Sequence, residues 1–250
     1  MTPLMREIFL VSALAGVIVP LHAAEFPARL EWAGRVNLSV PVSGVVDQVL
    51  AQPGQRVKKG QLLASLEPTL FKAAVAETRA ELDRLSEEQA EAARDLERAR
   101  ELYARTVAST TELDAARLRH ARTQAGLAAA QARVERSRRL LAESELRAPF
   151  EALILARQAE PGLIVASQCQ PPALFSVARA EEILVRALID GTQAAQMRLG
   201  AEAQVSVGER KLVGRLASLA ALEDGRYALD VAIAREPGML AGQPALVMLP

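Results

Sequence analysis

The sequence predicts an elongated α+β fold. A long antiparallel α-helical coiled-coil hairpin is inserted in a split β module, and a small β barrel follows. Three observations predict this. Apolar and small residues recur in alternating steps of four and three through residues 68–145. Two short strand-rich segments on either side of that stretch repeat each other at an offset of 108 positions. Short strands separated by tight turns fill the chain from residue 178 to residue 250.

The chain opens with Arg6 ahead of an apolar run over residues 8–19, then Pro20 and the small residues Ala23 and Ala24. This is the pattern of a secretory signal over residues 1–24, and the run is short of the roughly 20 residues a membrane span needs. A retained anchor is the alternative. No cysteine stands near the cleavage site, and the mature chain is expected to begin near Ala24 or Glu25. Residues 25–35, around Trp32, are expected to lend a strand to the distant barrel.

Residues 36–67 alternate in strand fashion through Val36, Leu38 and Val40, then Val45, Val46 and Val49. Turn signals stand at Ser43-Gly44, Pro53-Gly54 and Lys59-Gly60. Such a segment is too small to close a core alone. Its partner follows the hairpin at residues 146–177. Pro41 corresponds to Pro149, Pro53-Gly54 to Pro161-Gly162 and Val57 to Val165, all at the one offset. Two half-modules flanking a helical hairpin, whose ends are necessarily adjacent, make the hairpin an insertion into one β unit.

Within residues 68–145 the first arm carries its seam on Phe71, Val75, Thr78, Leu82, Leu85, Gln89, Ala92, Leu96, Ala99 and Tyr103. The return arm carries Leu113, Ala116, His120, Thr123, Leu127, Ala130, Val134, Ser137 and Leu141. The spacing keeps one seam facing a partner helix. At about 1.5 Å per residue each arm reaches on the order of 50 Å. Ser109 followed three residues later by Glu112 predicts a capping box at the start of the second helix. Pairs such as Glu81–Arg84, Glu91–Arg94, Asp95–Arg98, Asp114–Arg117, Glu101–Arg105 and Glu135–Arg139 are spaced to support the helices from outside.

Residues 178–250 read as strands around 183–189, 203–207, 211–219, 226–233 and 244–249, with one short helix over 191–199 ending at Gly200. Regular short strands of this kind predict a small closed barrel.

Composition narrows function. Half of the 250 residues are hydrophobic but only 3% are aromatic, and formal net charge is zero. No basic field attracts nucleic acid. One cysteine, Cys169, and two histidines cannot build a zinc site or a disulfide framework. Ser43 and Ser206 lack a His and acid constellation for nucleophilic catalysis, and no phosphate-cradling Gly-rich loop is present. No catalytic residue, cofactor or metal is therefore assigned.

The half-repeats, with Gly44, Val49, Gly54, Val57, Gly60 and Leu63 in the first, resemble a lipoyl/biotinyl-type module. Split by a coiled-coil hairpin, and with Arg147-Ala148-Pro149-Phe150 opening the second half, the chain resembles the HlyD-type membrane fusion proteins. These are the periplasmic adaptor subunits of bacterial tripartite efflux and secretion systems. The family's usual Asp-Gly is Glu151-Ala152 here. Arg98, Leu102 and Ser109 fall at the spacings of the family's hairpin-tip residues, which the resemblance implies contact an outer-membrane, TolC-like duct. It further implies a non-enzymatic periplasmic protein, six copies side by side, and an inner-membrane exporter of RND or ABC type. Modules stacked in a ring would aim the loop holding Gln168 and Gln170 at a central constriction, although a Pro-stiffened polar turn accounts for it as well. Larger members add a membrane-proximal domain built from both termini. Neither terminus supplies one here, so it is expected to be absent.

Two rival readings stand beside the adaptor. A lipoyl or biotinyl carrier would be modified on Lys72, and a structural protein would only self-associate through its coiled coil.

Overall fold

The computed structural model describes residues 24–167 and 171–249. The expected signal through residue 23, and both Gln168 and Gln170, lie outside the described residues. In chain order the strands before the hairpin are β1 (Ala24–Trp32), β2 (Val36–Leu38), β3 (Gly44–Val49), β4 (Arg56–Val57) and β5 (Leu62–Leu66). The helices α1 (Thr69–Ala104) and α2 (Thr110–Glu143) follow. Then come β6 (Glu145–Arg147), β7 (Ala152–Arg157), β8 (Ile164–Val165), β9 (Phe175–Arg179) and β10 (Glu182–Ile189). The chain continues through α3 (Gly191–Ala194), β11 (Glu202–Val207), β12 (Arg210–Ala221), β13 (Tyr227–Ala234) and β14 (Pro244–Leu249).

The two half-modules interleave. One sheet runs β2-β9-β7-β4 and the other β6-β5-β3-β8, so each sheet takes two strands from before the hairpin and two from after it. The pairings obey a pseudo-two-fold. Gly44 pairs with Val165 in one sheet while Ala152 pairs with Val57 in the other. The Val46 amide donates to the Leu163 carbonyl at 2.8 Å, and its counterpart Ile154 donates to Gln55 at 3.0 Å. Both halves carry a bulge at the same place, between Val46 and Gln48 and between Ile154 and Ala156. Gly54 and Gly162 both adopt left-handed backbone, φ +83° and +88°, which a side chain would resist. Val46, Leu63, Leu66, Ile154, Phe175 and Val177 from both halves fill one shared core. Burying each such side chain is worth about 1.5–3 kcal/mol, so neither half is stable without the other.

The hairpin leaves this core from a tied root. Phe71 packs against the sandwich interior from the first turn of α1. The Glu67 amide donates to Val45 at 2.8 Å, and the Glu67 carboxylate accepts from the Thr69 amide at 3.0 Å. With 36 and 34 residues, α1 and α2 are each about 50 Å long. Every predicted seam residue is withdrawn from solvent except Tyr103. Polar layers interrupt the seam. Thr78 and Ser137 share a 2.8 Å hydrogen bond, and Gln89 lies 3.4 Å from the His120 ring. Gly126 faces Leu85 where small residues let the backbones approach. Outside, Arg84 bridges Glu81 and Glu88 at 2.9 and 3.0 Å. Glu135 pairs with Arg138 rather than Arg139. Glu91–Arg94 and Glu101–Arg105 form no ion pair among the described residues.

The barrel closes in the order β1-β10-β13-β12-β11-β14. Its first strand pairs antiparallel with its last, Phe26 opposite Val247 and Ala28 opposite Ala245, all four buried. The helix expected over residues 191–199 is only the four residues of α3. A capping box between Asp190 and Gln193 starts it. Its ladder then tightens, since Gln196 donates to Gln193 and Met197 to Ala194, three residues back rather than four, and the turn ends. The Asp230 carboxylate on β13 is buried and forked by Arg186 of β10 at 2.7 and 3.0 Å, and it accepts from the Ser218 hydroxyl of β12 at 2.8 Å. Burial pushes that carboxyl up, but the Arg186 fork and the Ser218 hydroxyl outweigh it and hold it below the ordinary carboxylate range.

Candidate functional site

The far end of the hairpin is built from local chemistry. α1 stops at Ala104, and Thr106 turns the chain with φ +59°. The Val107 amide donates to the Leu102 carbonyl at 2.9 Å and the Thr106 amide to Tyr103 at 3.0 Å. Those two bonds are a Schellman closure, with a β-branched threonine where glycine is usual. Ser109 then caps α2. Its hydroxyl accepts from the Glu112 amide at 3.2 Å, and its own amide donates to the Glu112 carboxylate at 2.7 Å. That backbone donation, seconded by the Ser109 hydroxyl, lowers the Glu112 pKa. The predicted capping box is present in both directions.

Arg98 and Leu102 stand one turn apart on α1. The Arg98 side chain is 70% exposed and donates to Asp95 at 3.3 Å; Arg119 of α2 approaches the same carboxylate at 3.7 Å. Leu102 is 38% exposed. Ser109 belongs to the other helix, and its hydroxyl is engaged in the cap. No hydrogen bond or ion pair among the described residues joins these three.

Sequence reasoning missed two neighbours. Tyr103, placed in the seam, is 42% exposed, and Val107 in the turn is 72% exposed. With Leu102 they make the tip apolar. The signal for Tyr103 was its position, one residue before the helix ends, where no facing turn of α2 remains to cover it.

Lys72 sits on the first turn of α1, its amide bonded to the Pro68 carbonyl at 2.9 Å. A carrier lysine needs an exposed β-turn instead. Among the described residues no group of three or more His, Cys, Asp or Glu side chains is placed to hold a metal ion. No described helix is long and apolar enough to cross a membrane.

A family model described as the CzcB-like, barrel-sandwich hybrid domain matches residues 35–179, more than half of the chain and the whole of the interleaved sandwich with its hairpin. The chain belongs to the membrane fusion proteins, the periplasmic adaptor family. This membrane fusion protein is 32% identical over 164 residues to the multidrug resistance protein MdtA of Escherichia coli O45:K1, covering 61% of the chain and 40% of that relative. It is 25% identical over 186 residues to the efflux pump periplasmic linker BepD of Brucella suis biovar 1, covering 72% of the chain and 47% of the relative. The chain therefore spans less than half the length of these relatives. Its fold is similar to that of the membrane fusion protein Spr0693 of Streptococcus pneumoniae R6, with a TM-score of 0.71 at 14% identity, over 91% of this chain and 98% of that one.

Proposed function

We propose that this membrane fusion protein is a non-enzymatic periplasmic adaptor that links an inner-membrane exporter to an outer-membrane duct in efflux. The observation that carries the reading is the hairpin itself. Two helices of about 50 Å begin and end in one interleaved sandwich, so the rod reaches away from its root and returns. At its far end it presents an exposed guanidinium and an exposed apolar cluster. Arg98 offers donors in a fork that suits carboxylates and carbonyls at the rim of another helical bundle, and Leu102 supplies an apolar anchor beside it. Ser109 shapes the tip by holding the start of α2.

In this scheme residues 1–24 export the chain to the periplasm, and 25–35 join the barrel of 178–250. Residues 36–67 and 146–177 form the module that stacks into a ring of six, and 68–145 dock on a TolC-like duct. An exporter of RND or ABC type supplies the energy. The MdtA and BepD relatives, named for multidrug resistance and as an efflux linker, support efflux as the process.

The test is thiol crosslinking in intact cells from Val107→Cys, the most exposed apolar position of the tip. Capture of an outer-membrane duct protein is expected. A variant that is exported and folded but gives no such adduct refutes the docking role.

A further inference from the structure

The two helices of the hairpin are rooted differently. α1 enters the sandwich interior through Phe71, whereas among the described residues no apolar side chain of α2 joins that core. α2 ends at Ser144 and passes directly into β6, a strand of three residues at the edge of its sheet. β6 pairs only with β5, and the register between them breaks between Leu62 and Ala64.

Arg147, the last residue of β6, supplies a second hold. Its Nε and Nη2 both donate to Glu145 Oε2, at 3.1 and 2.7 Å, and its Nη1 donates to the Gly60 carbonyl at 2.9 Å. Glu145 is the residue directly after Ser144. Gly60 belongs to the turn between β4 and β5 and holds left-handed backbone, φ +80°. Two backbone bonds grip the same turn. The Gly60 amide donates to the Ala148 carbonyl at 2.7 Å, and the Ala148 amide to the Gln61 carbonyl at 3.0 Å. The guanidinium therefore ties the exit of α2 to a turn of the first half-module. At the repeat offset stands Ser39, which reaches the other half through one hydrogen bond, from its hydroxyl to the Pro172 carbonyl at 2.8 Å. The forked arginine stands only where the hairpin returns.

We propose that Arg147 is a positioning residue that sets the direction in which the hairpin leaves the sandwich, acting through Glu145 and the Gly60 turn. A guanidinium holds its donors in one rigid plane. Bonds to a carboxylate and to a carbonyl therefore fix the angle between those groups as well as their separation. Both Arg147 and Glu145 are exposed, and exposed ion pairs add little to folding stability. What this clasp controls is geometry. Tilting a rod of about 50 Å by about 10° at its root carries the tip sideways by about 9 Å, more than a helical turn. For the adaptor the clasp aims Arg98 and Leu102 at the duct, a consequence that rests on the docking role proposed above.

The test is spin-label distance measurement by double electron–electron resonance on the purified full chain, diluted in unlabelled protein and with Cys169 replaced by serine. One label sits at the tip on Val107→Cys. The other sits on Asp47→Cys or, in a second sample, on Gln158→Cys, two exposed positions that belong to the two different sheets. Arg147→Ala is expected to broaden both distance distributions at least about twofold, with helix content and urea midpoint nearly unchanged. Arg147→Lys keeps the charge without the fork and should broaden them as well, and it decides the matter should the alanine variant fail to fold. Arg138→Ala removes the Glu135 ion pair from α2 without touching β6 and should leave both distributions as they are. Wild-type width in a folded Arg147 variant, or equal broadening in Arg138→Ala, overturns the proposal. Because the readout uses the purified protein alone, failed duct capture in cells would count against the adaptor role and leave the role of Arg147 standing.

Discussion

The Leu66 amide donates to the Ser144 carbonyl at 2.9 Å, joining the end of the last strand before the hairpin to the residue that ends α2. Both residues are buried, and the Ser144 hydroxyl turns back to the Leu141 carbonyl at 2.7 Å. This one bond brings positions 78 residues apart to a common root and fixes where both helices leave the sandwich.

Phe71 secures that root through packing. Phe71→Ala is expected to destabilise the sandwich by about 2 kcal/mol, less than full burial would imply because the ring is only partly buried. Urea unfolding followed by circular dichroism measures the loss. An unchanged midpoint would separate the hairpin root from the sandwich core.

Gly126 is a glycine within a long helix. A β-carbon there would meet the nearest Leu85 methyl at 3.9 Å, an ordinary contact. Gly126→Ala should therefore stabilise the hairpin by about 1 kcal/mol through helix propensity and reduced unfolded-chain entropy. A rise in melting temperature checks it.

The tip separates stability from docking. Thr106→Gly should stabilise the hairpin by about 1 kcal/mol, because left-handed backbone costs a β-branched residue about that much. Arg98→Ala combined with Leu102→Ala removes exposed groups and should change stability by less than about 0.5 kcal/mol. Export by cells carrying that double variant should nevertheless be lost. Normal export would remove Arg98 and Leu102 from the docking role.

Asp230 makes barrel stability depend on acid. Its folded pKa lies below its unfolded value of about 3.9, so its contribution is fully present above that value. The contribution fades as pH falls through the lowered folded pKa. Asp230→Asn should cost about 2 kcal/mol at pH 7 by leaving the Arg186 fork without its charge partner, and should flatten the acid limb. Unfolding free energies between pH 2 and pH 7 compare the two proteins.

What the sequence determined by itself was whatever is local or periodic. The seam from Phe71 to Ala99 and from Leu113 to Leu141 followed from spacing, since a helix places such residues on one face whatever surrounds it. The Ser109–Glu112 box needed only three residues, and the matched Pro-Gly turns disclosed the repeat. Only the tertiary structure decided how the half-modules share their sheets and that Arg186 of β10 meets Asp230 of β13. It also decided that Gly214 must stay bare, since a β-carbon there would fall 2.6 Å from side-chain atoms of Val231 and Ile233. Each of these depends on residues far apart along the chain, whose meeting is set by the closing of sheets and cores rather than by any spacing that can be counted.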